Sequence, residues 1–474
     1  MHIGQQEWRQ LQAAPGAQRP AGFKALYQEL AAREPDAALR QAAADVLRAK
    51  LAELEGADSG LPASPDDLLA WMEGNTQRVH ESYAAYLQER KAGGPRRFFT
   101  NRAHALYFLR CVAPTKLVDG AWLYGLLAHW RNPRLSDLVR TYVEELGEGA
   151  VDKNHVVLYR NLLARHALDP LDDLPDALYE QGLLQLALGW NAEDFLPEVI
   201  GFNLGYEQLP LHLLVTAYEL NELGIDPYYF TLHVTVDNGD TGHARRACQA
   251  VLDMLPRLED GGAFWRRVQA GCKLADAGLG TGDVIESFHV GQEALRILAQ
   301  KSKAGGGAHS DYCRVAGRSV NDWLSEPREI SGFVQALQQA GWLRFGEPVE
   351  NSRFWSLLQG ERAEMFGVFS SYELQVLHDW IRGAASADGR PYSEAAPEGA
   401  SRRRATFRAV ARNARPLAED DGDTLDPDLE LFRQQLRGVD DAARSAVLVR
   451  AMSPAQHWTP AGLEATRLFW RTLS

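Results

Sequence analysis

The residues that could do chemistry lie closest together in one stretch, HVTVDNGDTGH, which runs from His233 to His243. The surrounding sequence has helical character, and each residue of an α-helix advances by about 100°. Asp237 then lies roughly 40° from His233, and Asp240 lies roughly 20° away on the other side. His243 is displaced by about 80° and fits this face less well unless the helix is overwound. Imidazole and carboxylate groups on one inward helix face favour iron or manganese.

A second cluster, EELGEGAVDKNH, covers residues 144–155. Glu148 and His155 are seven residues apart and share a face of a regular helix. Glu145 and His155 are ten residues apart and diverge by about 80°, but the two glycines between them loosen the backbone and could bring Glu145 inward. Both glutamates therefore stay candidates. Together with the first stretch, two chain segments each offer carboxylate and histidine, as a dinuclear metal site requires.

Further carboxylates could complete such a site. Glu207 lies in the apolar segment GFNLGYEQLPLHLL, where a buried charge needs a partner, and a metal ion and an arginine are equally good partners. Glu198 and Glu219 are weaker alternatives. Asp119 is another candidate, although capping of a helix that starts near Trp122 is the stronger interpretation.

The elements that must position these residues are helices. Apolar residues recur at helical spacing and strand-like alternation is scarce, which predicts an all-α fold. We expect an N-terminal helical extension over residues 1–94 and a bundle of six or more helices over residues 95–304, which would carry both clusters. Residues 305–474 form a C-terminal, mostly helical section without a chemical signature. A packing, substrate-covering or dimer-forming role is expected for it.

Composition restricts the possible functions. The chain has 474 residues, 45% of them hydrophobic, and a net charge of −13, which argues against a general nucleic-acid role. No apolar run reaches the roughly 18 residues of a membrane helix, and the N-terminus lacks the pattern of a signal peptide, so a cytoplasmic location is expected. The four cysteines form no CxxC pair and are expected to be free thiols.

At these residues the chain resembles the haem-oxygenase-like diiron oxidases and oxygenases. Members of that group carry a glutamate followed, after a stretch with glycine, by a histidine on one core helix. Glu145 and His155 match this motif, with Glu148 the alternative by helix geometry. Glu207 matches a glutamate that many members supply from an intervening helix, and Asp119 falls roughly where some members place a glutamate of the first helix.

The second motif of the group, His-x-x-x-Asp-x-x-His on a later core helix, matches His233 and Asp237. Its last position falls on Asp240, and His243, three residues further, is the alternative. The ligand set implied by the resemblance is therefore Glu145, His155, Glu207, His233 and Asp237, with Asp240 or His243 as the last ligand.

The resemblance covers about residues 96–303 and implies a haem-oxygenase-like bundle, two Fe(II) ions and O2 as co-substrate. It implies N-oxygenation, desaturation or C–C cleavage of a small, amino-acid-derived substrate in natural-product biosynthesis. The expected partner is thus a small molecule, not nucleic acid or membrane, and a homodimer is left open.

Two alternatives are carried forward. One is a cofactor-independent enzyme on the same bundle, similar to thiaminase-type proteins, which use a cysteine nucleophile. The other is a non-catalytic helical binding or scaffold protein, in which arginines would satisfy the inward-facing acidic residues.

Overall fold

The computed structural model describes residues 22–169, 171–236, 242–257, 261–305, 307, 309–310, 312–359, 363–383 and 426–473. Within these ranges the chain forms 22 α-helices, seven short 3-10 helices and one two-stranded ribbon. The predicted all-α fold is therefore confirmed. None of the described helices is both long enough and apolar enough to cross a bilayer.

The helices before the predicted core are α1 (Phe23–Ala32), α2 (Ala37–Glu53) and α3 (Leu68–Lys91). Those of the predicted core are α4 (Arg102–Cys111), α5 (Ala113–Lys116), α6 (Ser136–Glu145), α7 (His155–Arg165), α8 (Glu180–Trp190), α9 (Leu196–Tyr206), α10 (Leu211–Glu222), α11 (Tyr228–Val236), α12 (His243–Met254), α13 (Gly262–Ala275), α14 (Thr281–Glu286) and α15 (Val290–Gly305).

The C-terminal section begins with an antiparallel ribbon of β1 (Arg314–Val315) and β2 (Arg318–Ser319), in which Arg314 lies opposite Ser319. Its helices are α16 (Val320–Leu324), α17 (Ile330–Gln339), α18 (Arg353–Gln359), α19 (Ser371–Arg382), α20 (Pro427–Gln435), α21 (Asp441–Ala451) and α22 (Pro460–Leu473). The 3-10 helices are Pro65–Asp67, Ala121–His129, Pro133–Leu135, Gly147–Gly149, Asp176–Tyr179, Pro327–Glu329 and Val349–Asn351.

The centre of the molecule is built from α8 and α9, which are apolar on nearly all sides. Every residue of α8 from Gly182 to Trp190 is buried, as expected for a helix that packs in the interior. Helix α9 lies so close to α13 that a Cβ atom on Gly201 would be 1.9 Å from the Val268 carbonyl oxygen. Only glycine fits there, and this close packing fixes the end of α9, which Glu207 follows directly.

The three predicted parts of the chain share one core. A continuous cluster of buried apolar side chains extends from Leu26 in α1 to Phe469 in α22. Polar contacts add to it: the Asp379 carboxylate of α19 accepts a hydrogen bond from the Ala103 backbone N–H at the start of α4, at 2.9 Å. The boundaries at residues 94 and 304 stay predictions.

Glu219 has a structural role in α10. Its buried carboxylate accepts hydrogen bonds from the backbone N–H groups of residues 97–99 and from the hydroxyl of Tyr86 in α3, at 2.8 Å. It therefore ties the segment before α4 and the N-terminal helix α3 to the bundle. Glu198, the other weak ligand alternative, forms two 2.6 Å hydrogen bonds with Arg267.

Replacing Glu219 by alanine is expected to lower the free energy of unfolding by about 3 kcal/mol, because several buried donors lose their acceptor. Glu222→Ala is the matched control in the same helix. Its carboxylate pairs with Arg90 and is 27% exposed, so it should cost less than about 1 kcal/mol. Urea unfolding measures both; equal midpoints for the two variants would refute the structural role of Glu219.

Candidate metal centre

Six side chains from the ends of core helices converge in one buried region, and each is at most 7% exposed. They are Asp119 in the link after α5, Glu145 at the end of α6, His155 at the start of α7, Glu207 directly after α9, His233 in α11 and His243 at the start of α12. Carboxylates and imidazoles, the ligand types predicted from the sequence, therefore meet in space.

The six side chains form two groups that share Glu145, and the potential ligand atoms within each group lie within 4.8 Å of one another. The first group is Asp119, Glu145, His155 and His233, and the second group is Glu145, Glu207 and His243. Glu145 turns one oxygen to each group: Oε2 lies 2.5 Å from His155 Nδ1, and Oε1 lies 3.2 Å from His243 Nδ1. A carboxylate placed in this way can bind two metal ions, one through each oxygen.

A tight turn brings Glu145 and His155 together. Helix α6 ends at Glu145, and the 3-10 turn Gly147–Gly149 follows, with φ angles of 65°, 57° and 85°. Glycine adopts such left-handed conformations without steric cost, which explains two of the three residues. Asn154 then caps α7 by accepting a hydrogen bond from a backbone N–H of its first turn. The two ligand candidates thus stand at facing ends of consecutive helices.

Glu148 does not share a helix face with His155, so that expectation is wrong. The regular helix stops at Glu145, and Glu148 sits in the turn in the left-handed conformation. Its half-buried carboxylate lies 3.4 Å from the Lys153 ammonium. Of the two glutamates proposed beside His155, the structure therefore places Glu145 there.

The tautomer of His233 follows from its hydrogen bonds. Its Nδ1 lies 2.8 Å from the carbonyl oxygen of Tyr229 and must donate to it. In the neutral ring, Nε2 then carries a lone pair, and this atom lies 3.0 Å from Asp119 Oδ2. The Tyr229 hydroxyl donates to the same oxygen at 2.6 Å. A backbone acceptor that orients an imidazole in this way is common at metal-binding histidines.

Two buried atoms of the first group show that a metal ion fits there. Within the described residues, Asp119 Oδ1 and His155 Nδ1 have no hydrogen-bond partner, although Nδ1 lies only 2.5 Å from Glu145 Oε2. Buried polar atoms without partners are costly. Neutral imidazole nitrogens and carboxylate oxygens facing one point are the donor set that iron accepts.

Asp119 does not cap the helix near Trp122, so the capping interpretation is wrong. The N-cap position of the 3-10 helix Ala121–His129 is Gly120, and no side chain caps it. Asp119 points into the interior instead, where it contacts His233 and Tyr229.

The second group is oriented by a neighbouring carboxylate. His243 Nδ1 lies 3.0 Å from Glu207 Oε2, and its other nitrogen, Nε2, lies 2.9 Å from Glu144 Oε2 and donates to it. Glu144 is held in turn by the guanidinium groups of Arg246 and Arg140. This chain of charged hydrogen bonds directs Nδ1 of His243 toward the candidate site.

The carboxylates of the first group are ionised at neutral pH. Burial by itself raises the pKa of Asp119, but the positive charge of Lys116 and the contact with His233 outweigh burial and lower it. Burial also raises the pKa of Glu145, and the nearby His155 outweighs it, so that this pKa lies well below its usual value. Metal ligands must be deprotonated, so both groups are in the form that binds metal.

Five of the seven predicted site residues come together in the structure: Glu145, His155, Glu207, His233 and His243. Asp237 and Asp240 lie outside the described residues. The expectation that one helix carries His233 through His243 is wrong, because Gly242 is extended and caps a separate helix, α12, which begins at His243. Because His243 begins a separate helix, the displacement of about 80° calculated for one continuous helix does not apply to it.

Sequence reasoning missed Glu144 and Arg246. Arg246 is three residues from His243 in α12, a spacing that puts both on one helix face, and Glu144 directly precedes Glu145. Both spacings could have indicated that these residues lie near the site. A charged residue beside a ligand candidate is usually solvent-exposed, however, so neither residue was singled out.

Replacing Glu144 by glutamine is expected to weaken Fe(II) binding by about tenfold, because His243 loses its charged orienting partner. Anaerobic titration with Fe(II) measures the affinity. Glu148→Gln, a nearby change outside both groups, should leave it unchanged. Unaltered affinity in Glu144→Gln would contradict the orienting role.

The C-terminal section braces the turn between Glu145 and His155. Asn154 is fully buried; its amide donates to the Leu146 carbonyl at 3.2 Å and lies 3.3 Å from Nδ1 of His457. Burial lowers the pKa of His457 to about 3, so this imidazole is neutral. The hydroxyl of Tyr142 in α6 also donates to a C-terminal carbonyl, that of Met452, at 2.6 Å.

Asn154→Ala removes both the cap of α7 and the link to His457. The free energy of unfolding is expected to fall by about 2 kcal/mol, measured by urea denaturation. Asn132→Ala removes the cap of the short 3-10 helix Pro133–Leu135 and should cost no more than about 1 kcal/mol. If Asn154→Ala proved as stable as this control, the bracing contact would be unimportant.

Comparison with known proteins agrees with this site. Residues 106–276 match the model of a family described as iron-containing redox enzymes. No curated protein and no solved structure matches the chain. The matched segment contains all six converging side chains, so the helical core resembles the haem-oxygenase-like iron-containing redox enzymes over this part of the chain.

Proposed function

We propose that the chain is an O2-dependent oxidoreductase that holds two Fe(II) ions. The observation that carries this proposal is the position of Glu145, whose two oxygens face two different groups of potential ligands. A single metal ion would leave one of the groups without a cation among its buried carboxylates, which is costly.

The first ion would be held by the first group, Asp119, Glu145, His155 and His233. The second would be held by Glu145, Glu207 and His243, to which we add Asp237 as a proposed ligand from the sequence motif. His243 is preferred to Asp240 as the last ligand because its Nδ1 lies 3.0 Å from Glu207 and 3.2 Å from Glu145.

When bound, the two Fe(II) ions would supply electrons for the reduction of O2. The protein holds the ligands ionised and oriented, and it keeps bulk water away. Tyr159, Tyr229 and Phe230 are at most 2% exposed, and the Tyr159 and Tyr229 rings pack edge to face beside the first group. Their packing restricts water at the site.

We further propose that the substrate is a small, amino-acid-derived molecule, and that the reaction is an N-oxygenation, a desaturation or a C–C cleavage in natural-product biosynthesis. The family description and the buried ligand set support the oxidation of a small molecule. Neither nucleic acid nor membrane is proposed as a partner, and a homodimer stays open.

Two observations weaken the alternatives. Burial raises the pKa values of Cys111, Cys248 and Cys272 to about 12, so these thiols are protonated and poor nucleophiles. The scaffold hypothesis predicts arginine partners for the inward-facing acids, whereas Asp119 and Glu145 contact imidazoles. An iron-dependent reaction is the better-supported function.

Iron counting after anaerobic reconstitution tests the proposal. We expect about two Fe(II) per chain in the wild type, about one in His233→Ala and in His243→Ala, because each removes a ligand of one group, and almost none in Glu145→Ala, which serves both. Glu148→Ala is the matched control and should keep about two. A wild type that retains no more iron than Glu145→Ala would refute the metal centre.

A further inference from the structure

A half-buried ammonium group lies beside the candidate metal centre. Lys116 ends α5, three residues before Asp119. Its Nζ lies 3.5 Å from the Tyr206 hydroxyl, 5.4 Å from the centre of the Tyr206 ring and 5.9 Å from the centre of the Tyr229 ring. Tyr206 directly precedes Glu207, so the ammonium adjoins residues of both ligand groups.

This ammonium has unused hydrogen-bonding capacity. Within the described part of the chain, Nζ of Lys116 donates one hydrogen bond, to the Tyr206 hydroxyl at 3.5 Å, and no carboxylate lies within 4.0 Å of it. An ammonium group carries three donors. Burial alone would lower the pKa of Lys116, but its neighbours Tyr206 and Asp119 outweigh burial and raise it, so the group is charged at neutral pH.

Tyr206 offers a second donor at the same place. Its hydroxyl oxygen accepts hydrogen bonds from Lys116 Nζ, at 3.5 Å, and from Gln185 Nε2, at 3.2 Å. The hydroxyl hydrogen is therefore directed elsewhere, and among the described residues no acceptor for it is found. An ammonium and a phenol O–H thus converge.

These side chains keep surface that a ligand can touch. Lys116, Tyr206 and His212 are half-buried, whereas the six side chains of the candidate metal centre are at most 7% exposed. Burial, and then the charge of Lys116, lowers the pKa of His212 to about 4, so His212 is neutral and adds no second positive charge.

The charges of the proposed centre leave one positive charge in excess. The four proposed carboxylates, Asp119, Glu145, Glu207 and Asp237, balance two divalent ions. Lys116 then remains as a half-buried cation without a counter-charge, which an anionic ligand would stabilise. One excess charge matches a carboxylate better than a doubly charged phosphate.

We propose that Lys116 and Tyr206 form a subsite that binds a carboxylate of the substrate beside the metal ions. The inference rests on the proposed function, because the bound molecule is placed for oxidation at the iron centre. The subsite would select monoanionic substrates and fix the distance between their carboxylate and the reacting carbon or nitrogen.

Calorimetric titration of the anaerobic Fe(II) protein tests the subsite, with phenylacetate and hexanoate as probes and phenylacetamide and hexanamide as neutral counterparts. We expect at least one carboxylate to bind about tenfold more tightly than its amide, because a charged pair replaces a neutral contact. Lys116→Gln should abolish that preference, Lys116→Arg should keep part of it, and Tyr206→Phe should weaken carboxylate binding several-fold. Lys153→Gln, a change at a surface lysine, should have no effect.

Equal affinity for carboxylate and amide, an unaltered preference in Lys116→Gln, or no binding of either carboxylate would overturn the subsite. Iron is counted in the same samples. A protein that binds two iron ions but shows no carboxylate preference refutes the subsite alone, whereas a protein that binds no iron refutes the proposed function as well. If Lys116→Gln fails to fold by circular dichroism, the Tyr206→Phe and Lys116→Arg variants decide.

Discussion

Negative charge in a dry interior is the constraint on which this structure depends. Asp119, Glu145 and Glu207 are buried carboxylates, and each would be strongly unfavourable without cationic or hydrogen-bonding neighbours. Imidazoles, Lys116 and aromatic rings surround these carboxylates. The nearby arginines, Arg140 and Arg246, pair with Glu144. An arrangement of this kind stabilises bound cations more than it stabilises the empty protein.

The position of the ligand candidates at helix ends has a physical advantage. The backbone of a residue in the middle of a helix moves only with the helix, whereas the backbone of a terminal residue is also placed by the turn that follows or precedes it. The left-handed turn Gly147–Gly149 and the close contact of α9 with α13 at Gly201 position Glu145, His155 and Glu207 in this way. The long apolar helices then serve as a rigid frame.

Residue types and spacing were enough to predict the all-α fold and most of the converging side chains. The prediction failed where it assumed that helices continue: one helix ends at Glu145, before Glu148, and an extended Gly242 precedes the separate helix that His243 begins. Asp119 was assigned to a cap because an aspartate before a glycine and an apolar segment fits both roles. Only the tertiary contact with His233 decides between them.

Contacts between distant parts of the chain lay beyond sequence reasoning altogether. Asn154 and His457 are separated by 303 positions, and neither position carries a local signal of the other. The contact of Lys116 with Tyr206, 90 positions further along the chain, likewise has no local signal in the sequence.

The bracing contact of Asn154 with His457 also bears on how the protein is made. During synthesis on the ribosome, the residues of both ligand groups emerge long before the segment that covers the turn between Glu145 and His155. A contact between residues so far apart forms slowly, because closing the long loop costs entropy. The nascent chain therefore passes through a stage in which the ligand residues have been made but the contact of Asn154 with His457 has not formed. Iron that arrived at that stage would meet a turn without its support, so the centre reaches its full stability only after Met452 and His457 have been made and packed.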